Sequence, residues 1–423
     1  MSMIPTPPAI LDNAVATRMM ATGQPLDRSQ IALAPLFRMP TDAVGVWTTA
    51  GATVSADIVN YMSCEASTRA NLKLTGNGVA VTIQSDNDLA GGDTNLTSAL
   101  YRIRFKINDA TNMTHAEGIR MYLGSDGNFS DNYQWQQLWL PTGANLPGPD
   151  GWFEVWGSIN DTTWNETGTL DPAAVDIIRL RIRLSAASAA PNVTFDGPHF
   201  FTIPTRTPKM AITFDDGLVT QYAAATYMYA KGLVGTFYVV TDNIDSGANY
   251  LTTEQLLRMQ SMGHMIANHT SDHGFWVTDS YTQEQKIAGV SDGAKWLSDN
   301  GLGRGAMHLA VPGGTANIVQ SDVETIAGKL CSTFRATANT DPMPRSVLPP
   351  GGNILTTQGV ADDPDGADGA GAVLTNIKTI KMNAAVLFHH GDEANVTGIE
   401  TFFDNCATDQ DAGDVEIVTV DKI

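Results

Sequence analysis

The chain reads as two unlike halves: an all-β sandwich, jelly-roll-like, followed by an α/β barrel of parallel strands. Two observations predict this. Between about 31 and 203, short alternating segments are separated by Gly, Asn and Asp turns. From about 209 onward, apolar strand runs alternate with helical patterns and end in polar residues. The boundaries that follow are an arm or linker at 1–30, a sandwich at 31–203 and an α/β domain at 204–423. The arm is rich in Pro, Ala, Met and Thr and has no sustained periodicity.

In the first half, Leu100–Ile107 and Ile177–Leu184 alternate strictly between apolar and polar residues. Val79–Ile83, Gly118–Leu123, Trp152–Ile159 and Val193–Phe201 add shorter strands. Turn clusters at 90–93, 125–128 and 147–151 separate them. Tyr133, Trp135, Trp139, Trp152 and Trp156 lie close in sequence and are able to stack on sugars, although for any single one a place in the core is the better expectation. The proline-bearing stretch 202–208 reads as the linker between domains.

The second half opens with a strand at 209–214, a helix at 219–231 closed by Gly232, and the strand Val234–Val240. A helix at 253–262 has Thr252 and Gln255 at capping-box spacing and stops at Gly263. Another, at 283–299, has Thr282 and Gln285 at the same spacing, and Ile287, Val290, Ala294 and Leu297 on one face. Strands at 307–311, 332–336, 384–388 and 415–420 and helices at 318–329 and 397–407 complete the series. The stretch 362–371 lacks the terminal Glu of a calcium loop and reads as a solvated Gly/Asp loop bordering the site.

Composition excludes several classes. With 43% hydrophobic and 17% charged residues, the chain can bury sizeable cores. Its 25 basic and 45 acidic residues leave a net charge of −20, which argues against nucleic acid and anionic membranes as partners. The same balance makes a strongly anionic polysaccharide a less comfortable substrate than a neutral one, unless a local field overrides the net. Cys64, Cys331 and Cys406 are too widely spaced for a disulfide framework or a CxxC zinc site. No apolar run is long enough to cross a membrane. The N-terminus carries no secretory signal pattern. The expected setting is extracellular or virion-associated, and homo-oligomerisation is left open.

The chemistry is concentrated in two short motifs. Residues 213–217 read Thr-Phe-Asp-Asp-Gly and 269–273 read His-Thr-Ser-Asp-His. Asp215 and Asp216 are adjacent at a strand end, so one can face an ion while the other handles a proton. His269 and His273, four apart, fall on one side of a helical turn. Two histidines and a carboxylate with open positions are the donor set of a catalytic zinc-type site. Singly, each motif has a plainer reading: an exposed helical coincidence for the histidines, a turn for the aspartates. Their shared position at the ends of core strands favours the metal. His389 and His390 end another apolar run. His264 is expected to pack, His308 to go either way, and His115 and His199 to lie on the surface or in the core.

These motifs resemble the first two of the polysaccharide deacetylase (NodB-homology) family. The likeness extends through 251–264, whose helix precedes a Gly-His pair, to Leu309-Ala-Val-Pro-Gly-Gly314 and Leu387-Phe-His389. It implies a distorted, incomplete (β/α) barrel and a divalent metal, zinc above all, held by Asp216, His269 and His273. It implies Asp215 as general base, His389 as general acid and an acetylated polysaccharide, N- or O-linked, as substrate. Two departures stand out. Ala310 occupies the place where many members carry an arginine that braces the base, and no Asp/Trp motif is recognisable between Pro349 and Ala384. Val311 also replaces the tyrosine of a variant form of the third motif. The first half loosely resembles jelly-roll carbohydrate-binding modules, its segment Val193–Phe201 being like their final strand. A second class is therefore kept: a glycan-binding adhesion or phage tail protein with weak or no deacetylase activity.

Overall fold

The computed structural model describes, with short gaps, residues 94–107, 118–139, 152–183, 192–338 and 368–423, together with the strand backbone at 35–38, 47–50, 52–57, 71–76, 80–85 and 354–359. The expected arm at 1–30, and the turn clusters at 90–93 and 147–151, lie outside the described residues.

The first half is built from β1 (Pro35–Arg38), β2 (Trp47–Ala50), β3 (Ala52–Asp57), β4 (Asn71–Gly76), β5 (Ala80–Ser85), β6 (Ala99–Ile107), β7 (Ile119–Gly124), β8 (Tyr133–Trp139), β9 (Trp152–Ser158), β10 (Asn165–Thr167), β11 (Ile177–Arg183) and β12 (Asn192–Thr202). One sheet runs β3-β4-β12-β6-β9, with β1 on β12; the other runs β10-β8-β7-β11-β5-β2. Their pairings are antiparallel. The alternation in β6, β7 and β11 decides which faces meet. Ile103, Phe105, Phe153 and Phe195 of the first sheet share one buried cluster with Met121, Leu123, Ile178 and Leu180 of the second. That shared core makes the two sheets a sandwich.

The second half contains β13 (Lys209–Phe214), α1 (Gln221–Ala230), β14 (Thr236–Val239), α2 (Thr253–Ser261), β15 (Met265–Asn268), α3 (Gln283–Asp299), β16 (Gly305–Ala310), β17 (Thr333–Ala338), β18 (Ile354–Gly359), α4 (Asp368–Ile380), β19 (Ala384–Phe388), α5 (Ile399–Asp411) and β20 (Glu416–Val418). The strands are parallel in the order β14-β15-β16-β17-β18-β19-β13-β20. The sheet also closes on itself, because the end of β13 pairs with β14 while β20 takes the start of β13. Side chains alternate across this wall. Met210, Ile212, Phe214, Phe237 and Ile266 pack against the helices. Tyr238, Met265, Ala267 and Ala310 form a separate cluster on the other face. Both expected capping boxes are present, Thr252 with Gln255 and Thr282 with Gln285.

Three expectations change. The helix expected at 318–329 is described only in fragments, so most of it lies outside the described residues. Residues 368–371 open α4 rather than continuing a loop, and Ala370 is fully buried. The buried stripe of α3 is Lys286, Gly289, Val290, Gly293 and Leu297, whereas Ile287 is exposed. Lys286 is admitted to the interior because its ammonium lies 2.8 Å from both carboxylate oxygens of the buried Asp322, with Trp276 alongside. Such pairing is what lets a charge leave water.

Candidate metal centre and its braced carboxylate

β13 ends in Asp215, whose backbone N–H donates to the Phe388 carbonyl of β19 at 3.0 Å. Immediately after it the chain turns through two left-handed residues, Asp216 (φ 75°) and Gly217 (φ 71°). That reversal separates the neighbouring carboxylates: Asp215 is 4% exposed, whereas Asp216 is partly open. Gly217 suits the turn, since a β-carbon there would come within 3.2 Å of Ile244 and Val239.

The two histidines come together on a loop, not on a helical turn. His269 follows β15, and Thr270 (φ 68°) and His273 (φ 57°) are both left-handed. Side chains hold the loop in that shape. Asn268 Oδ1 accepts from the Thr270 N–H at 2.9 Å, and Thr270 Oγ1 accepts from the His273 N–H at 3.0 Å. The rings end 5.0 Å apart. α3 presses on this loop through Gly293, where a β-carbon would stand 2.4 Å from Asn268 Oδ1.

Asp216, His269 and His273 offer ligand atoms lying within 4.8 Å of one another. His269 Nε2 and His273 Nε2 stand 3.3 and 3.0 Å from Asp216 Oδ1. His269 Nδ1 is 2.9 Å from the Ala310 carbonyl. A carbonyl only accepts, so Nδ1 carries the proton and Nε2 turns its lone pair toward the carboxylate. Asp216 Oδ1 is buried and has no hydrogen-bond donor in proper geometry. A buried acceptor facing imidazole nitrogens is the arrangement a divalent ion satisfies, so the donor set fits a metal. Burial alone would raise the Asp216 pKa, but protonation of the facing His269 and His273 imidazoles would pull it below the usual carboxylate range.

Asp215 Oδ2 lies 3.8 Å from His269 Nε2, beside the centre but outside the ligand set. Its partner is a residue the sequence reading did not single out. Arg335 Nη2 donates to both carboxylate oxygens of Asp215, and Arg335 is only 1% exposed. Arg335 sits on β17 in direct register with Ala310 of β16. A guanidinium thus reaches Asp215 from the strand next to the one that carries Ala310, at the same height in the sheet. The small Ala267 and Ala310 side chains keep that face of the wall low, and the Tyr238 ring lies 4.8 Å from the Arg335 guanidinium carbon. Burial pushes the Tyr238 phenol up, the Arg335 charge opposing this and the Asp215 charge adding to it, so it stays neutral.

Gln221, fully buried at the start of α1, was also missed. Its amide donates to the carbonyls of Asp215 and His389, the latter at 2.7 Å, and so ties the ends of β13 and β19 together. His389 follows β19 and is half-buried; its neighbour His390 lies 3.3 Å from Thr220 Oγ1. The structure thus groups Asp215, Asp216, His269 and His273 and places the His389 backbone against the same strand ends. His264 packs as expected, its ring nitrogens at 3.0 Å from the Gly235 N–H and 2.9 Å from the Ala225 carbonyl. His308 is buried against Thr333, and His199 pairs with Asp196. His115 lies outside the described residues.

Among curated proteins, none matches the chain. Solved structures do align with about half of it. The family 4 carbohydrate esterase from Streptomyces lividans, in complex with acetate, shares 14% identity over 50% of this chain and 93% of its own, with a TM-score of 0.34. The peptidoglycan deacetylase PdaC from Bacillus subtilis shares 15% identity over 51% and 89%, with a TM-score of 0.35. A family 4 carbohydrate esterase from Bacillus anthracis shares 14% over 51% and 82%, with a TM-score of 0.33. Residues 202–332, which hold the aspartate pair and both histidines, match the model of the polysaccharide deacetylase family.

Proposed function

We propose that the second half is a metal-dependent hydrolase removing N- or O-linked acetyl groups from a polysaccharide. The observation that carries this reading is the braced, buried Asp215 carboxylate standing beside a two-histidine, one-aspartate donor set. Asp216, His269 and His273 would hold the ion, zinc being the best match to two imidazoles and a carboxylate. When bound, a divalent ion supplies a polarised acetyl carbonyl and a water of lowered pKa.

The protein's own groups do the rest. Asp215 accepts the proton of the attacking water, and Arg335 keeps its carboxylate in one orientation so that it cannot turn to become a ligand. His389 is the acid that protonates the departing sugar nitrogen or oxygen. Gln221 fixes the peptides of both catalytic residues relative to each other. The reading is tested by acetate release from a panel of acetylated glycans before and after metal stripping. Turnover by metal-free protein would overturn the metal dependence, and acetate release by Asp215→Asn at the native rate would overturn the role of the base.

A further inference from the structure

The segment 274–281, between His273 and α3, takes no part in the hydrolytic chemistry, yet it is built firmly beside the donor set. The Phe275 N–H donates to Asp279 Oδ2 at 2.9 Å, and the Phe275 carbonyl accepts from the Asp279 N–H at 2.8 Å. The Tyr281 N–H donates to the Trp276 carbonyl at 2.9 Å, and the Tyr281 hydroxyl donates to Asp272 Oδ2 at 2.8 Å. The Tyr281 ring also occupies the space a β-carbon at Gly274 would need, so the glycine lets the two ends of the loop close on each other.

In this loop Trp276 is 1% exposed and packs with Val290, Leu309 and Phe334. Its neighbours on either side do the opposite. Phe275 is 37% and Val277 43% exposed, two of the six large apolar side chains that are exposed among the described residues. A buried anchor thus fixes a loop whose flanking apolar side chains reach water. The Phe275 ring lies 5.3 Å from the His273 ring, at 73° to it, and the His273 side chain is itself 31% exposed. A ring that served only to pack against His273 would gain most from full burial, whereas this one keeps more than a third of its surface in water.

An aromatic ring beside a metal donor, partly open and carried on a stapled loop, can stack on a ligand with little ordering cost. The segment 269–281 contains Asp272 and Asp279 and no lysine or arginine, so the local charge favours an uncharged ring over a uronate. We propose that Phe275 is a specificity residue, on which an uncharged pyranose at or next to the acetylated position lies by its carbon–hydrogen face. The inference rests on the deacetylase reading for its substrate.

The full-length protein is assayed on the N-acetylglucosamine hexamer, acetylated xylohexaose and acetylated hexagalacturonate. Acetate release gives KM and kcat; where no acetate appears, calorimetry on the same ligands gives Kd. The expected result is a preference for at least one neutral oligomer over the acidic one. Phe275→Ala and Phe275→Leu should raise KM or Kd on it roughly three- to tenfold, the scale of one aromatic contact, with the smaller effect on kcat. Phe275→Trp, which restores a ring, should recover most of the loss. Phe275→Leu keeps an apolar side chain against His273, so it carries the test if the alanine variant loses metal or fails to fold. Native KM in a folded, metal-loaded Phe275→Leu protein would overturn the stacking role and leave the deacetylase reading standing. Binding that depends on Phe275 without acetate release from any ligand would support the stacking role and remove the deacetylase reading. Metal loss in both the alanine and leucine variants, no action on or binding of either neutral oligomer, or an equal preference for the acidic one would each overturn the inference.

Discussion

Replacing Arg335 with methionine is the sharpest test of how the site is built. Arg335 and Asp215 are 1% and 4% exposed, so the substitution leaves a carboxylate deep in the domain without its guanidinium. Breaking a buried pair from one side typically costs about 3–5 kcal/mol, because the remaining charge has neither water nor partner. For a domain of this size that is a fall in thermal midpoint of roughly 10 °C. Turnover should fall as well, by about 10²-fold, since a base displaced by an ångström loses its alignment with the attacking water. Metal content should stay at the native level, because Arg335 touches Asp215 and not the three ligands. Calorimetric unfolding, metal analysis and acetate release on the same preparation read the three effects. Arg335→Lys, which keeps the charge and loses the fork, should lie between. Combining Arg335→Met with Asp215→Asn removes both charges and should recover most of the stability while leaving the protein inactive. An Arg335→Met protein with unchanged midpoint and native turnover would refute the brace, whatever the metal content.

Other expectations follow from the same geometry. Asp216→Asn, His269→Ala and His273→Ala should each lower metal affinity, whereas Asp215→Asn should keep the metal and lose about 10²–10⁴ in turnover; equal metal loss in both aspartate variants would mean the pair is misassigned. His389→Ala should retain metal and spare activated aryl acetates, whose leaving groups need no proton, so equal losses on aryl acetates and glycans would count against it as the acid. Burial, with Arg304 adding and Asp421 opposing, pushes His308 down to about 4. The unfolded chain then binds the extra proton between pH 6.5 and 4, and the His308 contribution to stability is lost as pH falls through that window, by up to about 3 kcal/mol. Urea unfolding at pH 7.5 and 4.5 should show a smaller difference for His308→Gln than for the native protein, and an equal difference would refute it. Gly293→Ala would push a methyl group into Asn268, which is fully buried and bonded to the Val290 carbonyl, so about 1–3 kcal/mol of stability and some metal affinity should be lost; native metal affinity would show that the loop yields.

Much of the architecture was legible because strand runs, glycine stops and capping boxes are local signals. The aspartate pair at the end of β13 and both capped helices stand where periodicity and cap spacing placed them. The errors have a common physical cause, which is that tertiary partners overrule local pattern. Ile287 was expected on the apolar face of α3, but it is exposed and Lys286 is buried in its place, which only Asp322, 36 positions away, makes tolerable. The histidine spacing suggested a helical turn, but a loop closes the same gap through left-handed residues held by Asn268 and Thr270.

The missing arginine is the clearest case. Sequence comparison looks for a brace at a fixed place in a motif, and Ala310 fills that place here. The requirement, however, is spatial: a guanidinium at the right height on the face of the wall that carries Asp215. In a parallel sheet adjacent strands lie about 4.8 Å apart, and an arginine side chain is longer than that step. A residue in register on the next strand can therefore reach the same carboxylate, provided the position it crosses is small. Ala310 is a small position of that kind, in register with Arg335 across β16 and β17. The alanine that reads as a gap in the motif stands, in the folded chain, directly beside an arginine bonded to Asp215.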